Sequence, residues 1–98
     1  MNIQIDQNKL RAICRAHHIR KLSLFGSVLR SDFRPDSDID VLVTFLPDSR
    51  WSLFDLVQMQ DELEEVLGRK VDLVEKKGLR NPFRRHEILK TKQVVYAE

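Results

Sequence analysis

FGSVLRSDFRPDSDIDVLVTF, residues 25–45, ends one apolar run in a Gly-Ser pair and opens the next with two aspartates. The second run, IDVLVTF at residues 39–45, is β-branched and apolar enough for a central strand, and Pro47 closes it. Asp38 and Asp40 stand at alternate positions, so on a strand they project to the same side while Ile39 enters the opposite packing layer. Carboxylates brought together repel one another, and a hard divalent cation such as Mg²⁺, which takes oxygen ligands and substrate phosphates, relieves that repulsion. Gly26 lets phosphate oxygens approach backbone N–H groups. Ser27 adds a hydroxyl and caps a brief helix expected through Ser31, whose N-terminus favours anions. These features describe a metal-nucleotide site.

Reading outward, Leu10, Ile13, Cys14 and His17 fall at i, i+3, i+4 and i+7, which predicts an amphipathic helix over residues 6–18. KLSLF, residues 21–25, is a short strand ended by Gly26. Ser52 with Asp55 forms a capping pair for a long helix whose apolar stripe is Leu53, Leu56, Val57, Leu63, Val66 and Leu67, stopped by Gly68. VDLVE, residues 71–75, is a third strand, and Asn81-Pro82 begins a last helix reaching about Lys92. The expected architecture is α/β (α+β), with a three-stranded mixed sheet and about four helices in αβαβαβα order. The helical connection makes strands two and three parallel, and the short return makes strand one antiparallel to strand two. Gly26, Ser27, Asp38, Asp40 and Asp72 then meet at one edge.

At 98 residues the chain has room for one domain, residues 1–98, burying roughly 60–65% of its unfolded surface. No apolar run approaches the roughly 18 residues of a membrane span, and the polar start MNIQIDQNKL has no signal-peptide core. A single cysteine, Cys14, forms no intrachain disulfide or thiol cluster and suits the core, so a cytoplasmic setting is expected. The formal net charge is +2, yet residues 76–92 carry seven lysines and arginines against one glutamate, which gives the molecule a basic end.

An isolated D-x-D is ordinarily a solvated turn; the neighbouring Gly-Ser and the later Asp72 reverse that reading. A calcium loop starting at Asp36 fails, because Val41 occupies the glycine position and Pro47 the bidentate glutamate position. Arg30 pairs either with a nucleotide phosphate or with a nearby acid. His17 and His18 suit the end of the first helix, His86 the surface, and Trp51 either lids the long helix or stacks a base. Asp61, Glu62, Glu64 and Glu65 read as a solvated face. The basic stretch suits an acidic partner protein or, less well, nucleic acid, since Phe83 is its one aromatic residue and can instead anchor the last helix to the core.

Gly26-Ser27, ten intervening residues, then Asp38-Ile39-Asp40 resembles the G-S-x10-D-x-D signature of the DNA polymerase β-like nucleotidyltransferase superfamily, and the length resembles its minimal nucleotidyltransferase branch. Arg30, Ser37 and the Val71–Val74 strand with Asp72 extend the likeness over nearly the whole chain; Leu29 and Ser31 depart from the Ala and Gly usual there. The resemblance implies that Asp38 and Asp40 ligate two Mg²⁺ ions, that Asp72 completes the site beside the attacking hydroxyl as ligand or general base, and that Gly26 and Ser27 hold the triphosphate. It further implies an antitoxin that transfers AMP from ATP to a tyrosine of a HEPN-domain RNase toxin. A binding-only antitoxin and a nucleic-acid-binding module are the alternatives. Relatives that grip primer or tRNA carry extra domains, so here the acceptor is expected to bring its own binding surface, docking on residues 76–92.

Overall fold

The computed structural model describes residues 3–30, 34 and 37–98. Its elements are α1 (Gln7–Ala16), β1 (Ile19–Phe25), β2 (Ile39–Phe45), α2 (Leu53–Leu67), β3 (Val71–Glu75), α3 (Pro82–Thr91) and β4 (Gln93–Ala97), with 3₁₀ turns at Gly26–Leu29 and Lys76–Gly78. The strands lie in the order β3-β2-β1-β4, with β2 and β3 parallel and β1 antiparallel to both its neighbours. The α+β class and the β1–β2–β3 pairing match the expectation from sequence.

The counts do not. A fourth strand, β4, pairs with β1 where the sequence predicts none, and among the described residues three α-helices rather than four flank the sheet. The helix expected from Ser27 is a 3₁₀ turn whose N-cap is Phe25 without a side-chain cap, so Ser27 lies inside it; Ser31 is outside the described residues.

The termini of the helices form for local reasons. Asp6 accepts from the backbone N–H of Asn8 and Lys9 at the head of α1, and Asn81 does the same for Phe83 and Arg84 at the head of α3. Ser52 and Asp55 close a reciprocal capping box on α2, which Gly68 ends in the left-handed region at φ 71°. Within α2 the buried row is Met59, Leu63 and Leu67. Leu53 and Val57, expected in that stripe, are exposed along with Phe54, because at 100° per residue they fall to the side of the buried arc.

The sheet separates two cores of unequal size. Leu22, Leu24, Ile39, Val41 and Val43 pack with Leu10, Cys14, Met59 and Leu63 beneath α1 and α2. On the other face only Phe25, Leu42, Leu79 and Ile88 cluster under α3. Of the two roles open to Phe83, anchoring α3 is not the one it takes: it is exposed, and Ile88 is the buried residue of that helix. Trp51 stacks on Phe45 of β2 with ring centroids 5.0 Å apart and stays partly exposed.

The acidic run of α2 is not simply a solvated face. Glu62 pairs with His17 at the end of α1, and Glu64 accepts from the Val71 N–H at 2.8 Å. Gln60, one turn earlier, donates to the Val71 carbonyl at 2.9 Å. Adjacent turns of one helix thus hold both backbone groups of the residue before Asp72.

Two stability outcomes follow. Leu63→Ala should lower the unfolding free energy by about 2–5 kcal/mol and Gly68→Ala by about 1 kcal/mol, read as shifts of the urea midpoint at constant slope. The second is purely a backbone cost, since an added Cβ at position 68 meets nothing within 4 Å. Burial pushes the Cys14 thiol up to about 12, so a thiol-alkylating reagent at pH 8 should label it only after denaturant is added, whereas rapid labelling of the native protein would contradict its placement.

Candidate active site

Pairing geometry assembles the site. Phe25 lies opposite Asp40 across β1 and β2, and Asp40 lies beside Asp72 across β2 and β3. Registered neighbours project to the same face, so the two carboxylates stand side by side next to the residue from which the chain turns into Gly26. That face is the one covered by α3. Asp38 precedes β2 by one residue and is exposed, as is Asp72, while Asp40 is half-buried.

The Gly-Ser turn closes over Asp40. Gly26 has φ +75°, and a Cβ built on it would stand 2.3 Å from Asp40 Oδ2, a separation that real Cβ atoms do not show. Glycine is therefore required here twice over, for conformation and for space. Ser27 follows half-buried, and its carbonyl accepts from the Arg30 N–H at 3.0 Å, which holds the turn. With only four residues, the turn carries little of the macrodipole expected from a helix.

Charge in this corner is unbalanced. Burial pushes the Asp40 carboxyl above its ordinary value, Asp72 and Asp38 push it further, and the guanidiniums of Arg84 and Arg30 oppose them. The expected residues Gly26, Ser27, Arg30, Asp38, Asp40 and Asp72 thus gather at one end of the sheet. Among the described residues, however, no three His, Cys, Asp or Glu side chains close into a group able to hold a metal ion. The donors present are hard oxygens, which fit Mg²⁺, an ion that commonly takes one or two carboxylates and completes its shell with water and substrate phosphates.

Arg84 was hidden in the sequence, submerged among the charges of the basic stretch. Its only signal was the Asn81-Pro82 helix start, which fixes its place in the first turn of α3. Gln60 and Glu64 carried no signal either, since their shared target is a backbone group.

A family model described as a nucleotidyltransferase domain matches residues 7–95. The protein adenylyltransferase MntA of Thermococcus cleftensis is 35% identical over 80 residues, covering 80% of this chain and 74% of that protein. Two solved structures share the fold. One, a toxin–antitoxin with AMP-PNP, superposes with a TM-score of 0.72 at 19% identity, covering 96% of this chain and 75% of that one. The other, from Shewanella oneidensis, holds a tri-AMPylated HEPN toxin with an MNT antitoxin; its TM-score is 0.63 at 18% identity, covering 94% and 70%.

Gly26→Ala tests the close approach. The substitution should cost about 1–2 kcal/mol of stability through its left-handed backbone and, by displacing Asp40, reduce nucleotidyl transfer by roughly 10²-fold. Urea melts and initial rates on the same preparation separate the two effects, and a variant with unimpaired rate would show that the contact does not govern the site.

Proposed function

The chain belongs to the nucleotidyltransferase domain family, and on that premise we propose that it is an antitoxin of the minimal nucleotidyltransferase type, which transfers AMP from ATP to a tyrosine hydroxyl of a HEPN RNase toxin and so silences it. The observation that carries this reading is the side-by-side register of Asp40 and Asp72 against the glycine turn. Its support from relatives is the adenylyltransferase name of the Thermococcus protein and the AMPylated HEPN toxin bound to the Shewanella antitoxin.

In the proposed reaction the tyrosine oxygen bonds to the α-phosphorus of ATP while the α–β anhydride breaks and pyrophosphate leaves with the bonding electron pair. Gly26 and Ser27 receive the triphosphate on the N–H groups of the turn, and Arg30 neutralises it from beyond. Asp38 and Asp40 are the proposed ligands of Mg²⁺, with Asp72 beside them; when bound, the ion supplies charge neutralisation on the phosphates and acidifies the attacking hydroxyl. Asp72, the more exposed partner of the registered pair, takes the proton. Residues 1–98 act as one catalytic unit in the cytoplasm, and no described helix is long and apolar enough to cross a membrane. The acceptor toxin docks on the basic stretch of residues 76–92. A phosphate group added beside a catalytic arginine of the toxin blocks RNA and competes for that charge.

A binding-only antitoxin is the competing reading, and the carboxylates' failure to close into a metal-holding group is the observation on its side. One experiment separates the two. Incubation with ATP, Mg²⁺ and a cognate HEPN toxin should add AMP-sized mass to the toxin at a tyrosine near its active site. Asp38→Asn with Asp40→Asn should slow that transfer on the order of 10²–10³-fold or more without changing the circular dichroism. Toxin neutralisation without any mass gain, retained by the double variant, would establish binding alone.

A further inference from the structure

Between the Gly26–Leu29 turn and α3 lies a cavity of about 510 Å³, with Gly26, Leu29 and Arg30 on one wall and Glu87, Ile88 and Thr91 on the other. The three α3 residues share a face with Arg84, because positions 84, 87, 88 and 91 are related by i+3, i+4 and i+7. Side chains on a helix lean toward its N-terminus, so Arg84 extends past the Glu87 end of this wall. Arg85, the next residue, turns instead toward a separate cavity with Arg20, Lys76 and Lys77.

Resting on the nucleotidyltransferase reading, we propose that Arg84 is a phosphate-binding residue, closing on the nucleotide triphosphate from α3 while the Gly26–Ser27 turn and Arg30 hold it from the other side. Three features support this. Arg84 is exposed and takes part in none of the ion pairs of the described residues, so neutralising Glu87 does not account for it. A guanidinium presents a planar fork matched to two phosphate oxygens, a geometry that a lysine lacks. The side chain also sits on a helix whose first turn is fixed by the Asn81 cap, which donates no freedom to a loop. As pyrophosphate leaves, charge builds on its oxygens, and a cation held on the α3 side offsets it without a metal cage being preformed. Glu87, on the same face one turn later, sets the limit of the site, since its carboxylate repels phosphate and confines the polyphosphate to the Arg84 and Gly26 end.

Isothermal titration of inorganic tripolyphosphate, with Mg²⁺ and with chelator, tests this on the whole chain, together with the KM for ATP in toxin labelling. Arg84→Ala should weaken tripolyphosphate binding about 10-fold under both conditions and raise the KM for ATP, Arg84→Lys should recover only part of the loss, and Arg85→Ala, read in the toxin-free titration alone, should bind tripolyphosphate as the wild type does. The thermal midpoint of Arg84→Ala should stay near that of the wild type, given the exposure of the side chain. Equal tripolyphosphate affinity for wild type and Arg84→Ala overturns the proposal, as does an equal loss in Arg84→Ala and Arg85→Ala, which would mean diffuse charge attraction. Wild-type protein that binds no tripolyphosphate overturns it as well. If the wild type binds tripolyphosphate in an Arg84-dependent way yet labels no toxin, the adenylyl-transfer reading falls and this one stands.

Discussion

A carbon atom on residue 26 would stand 2.3 Å from the Asp40 carboxylate, and much of the active corner depends on that carbon being absent. The turn can lie directly on the acid only because Gly26 occupies the left-handed region without a side chain. Phe25 then stays in register with Asp40, which in turn fixes Asp40 beside Asp72 through the parallel β2–β3 ladder. One close approach thus relates a backbone turn to two carboxylates drawn from separate strands. The cost is electrostatic, since Asp40 is half-buried among like charges, and it is visible in the upward push on its carboxyl.

That cost is supportable because the two faces of the sheet do different work. Beneath α1 and α2 lies a wide apolar layer, with Leu10, Ile19, Leu22, Leu24, Ile39, Val41, Val43 and Leu63 all buried. The α3 face has a small apolar cluster and gives its remaining area to acids and cations. Stability comes mainly from one side and chemistry from the other, with β2 contributing to both through alternation: Ile39, Val41 and Val43 go inward, Asp40 outward. The strongest link between the sides is α2, whose Gln60 and Glu64 grip Val71 on both backbone groups. A helix of the structural layer therefore helps to position Asp72 through the backbone of the residue before it.

Much of this was legible in the sequence. The β2 and β3 strands, the Ser52–Asp55 and Asn81-Pro82 helix starts, the Gly68 stop and the gathering of Gly26, Ser27, Asp38, Asp40 and Asp72 all follow from local chemistry and strand period. Three features did not. β4 is five residues separated from α3 by Lys92 alone, with no turn signal to set its Val-Val-Tyr run apart. Leu53 and Val57 carry the apolar pattern of a buried stripe while lying exposed beside it, because pattern reports the width of a helix face and not which part of it meets the sheet. Arg84 and the Gln60–Glu64 pair act across sequence distances that no local motif spans, and composition alone groups them with surface charge.

The openness of the acidic cluster bears on how the proposed chemistry is ordered. Three carboxylates fixed around an empty cation position would pay their mutual repulsion in every molecule, bound or not. Here the strand pair holds Asp40 and Asp72 together, Asp38 stands exposed ahead of β2, and no three described acids close into a group. In the proposed reaction the triphosphate then completes what the protein leaves open, supplying oxygens that a hard cation needs and receiving cationic side chains from two walls. A site of that kind gains its charge balance only with nucleotide present. In the proposed reaction a small domain whose acids and cations meet on the α3 face of a four-stranded sheet thus draws part of its charge balance from the substrate, where larger enzymes build a deeply enclosed pocket.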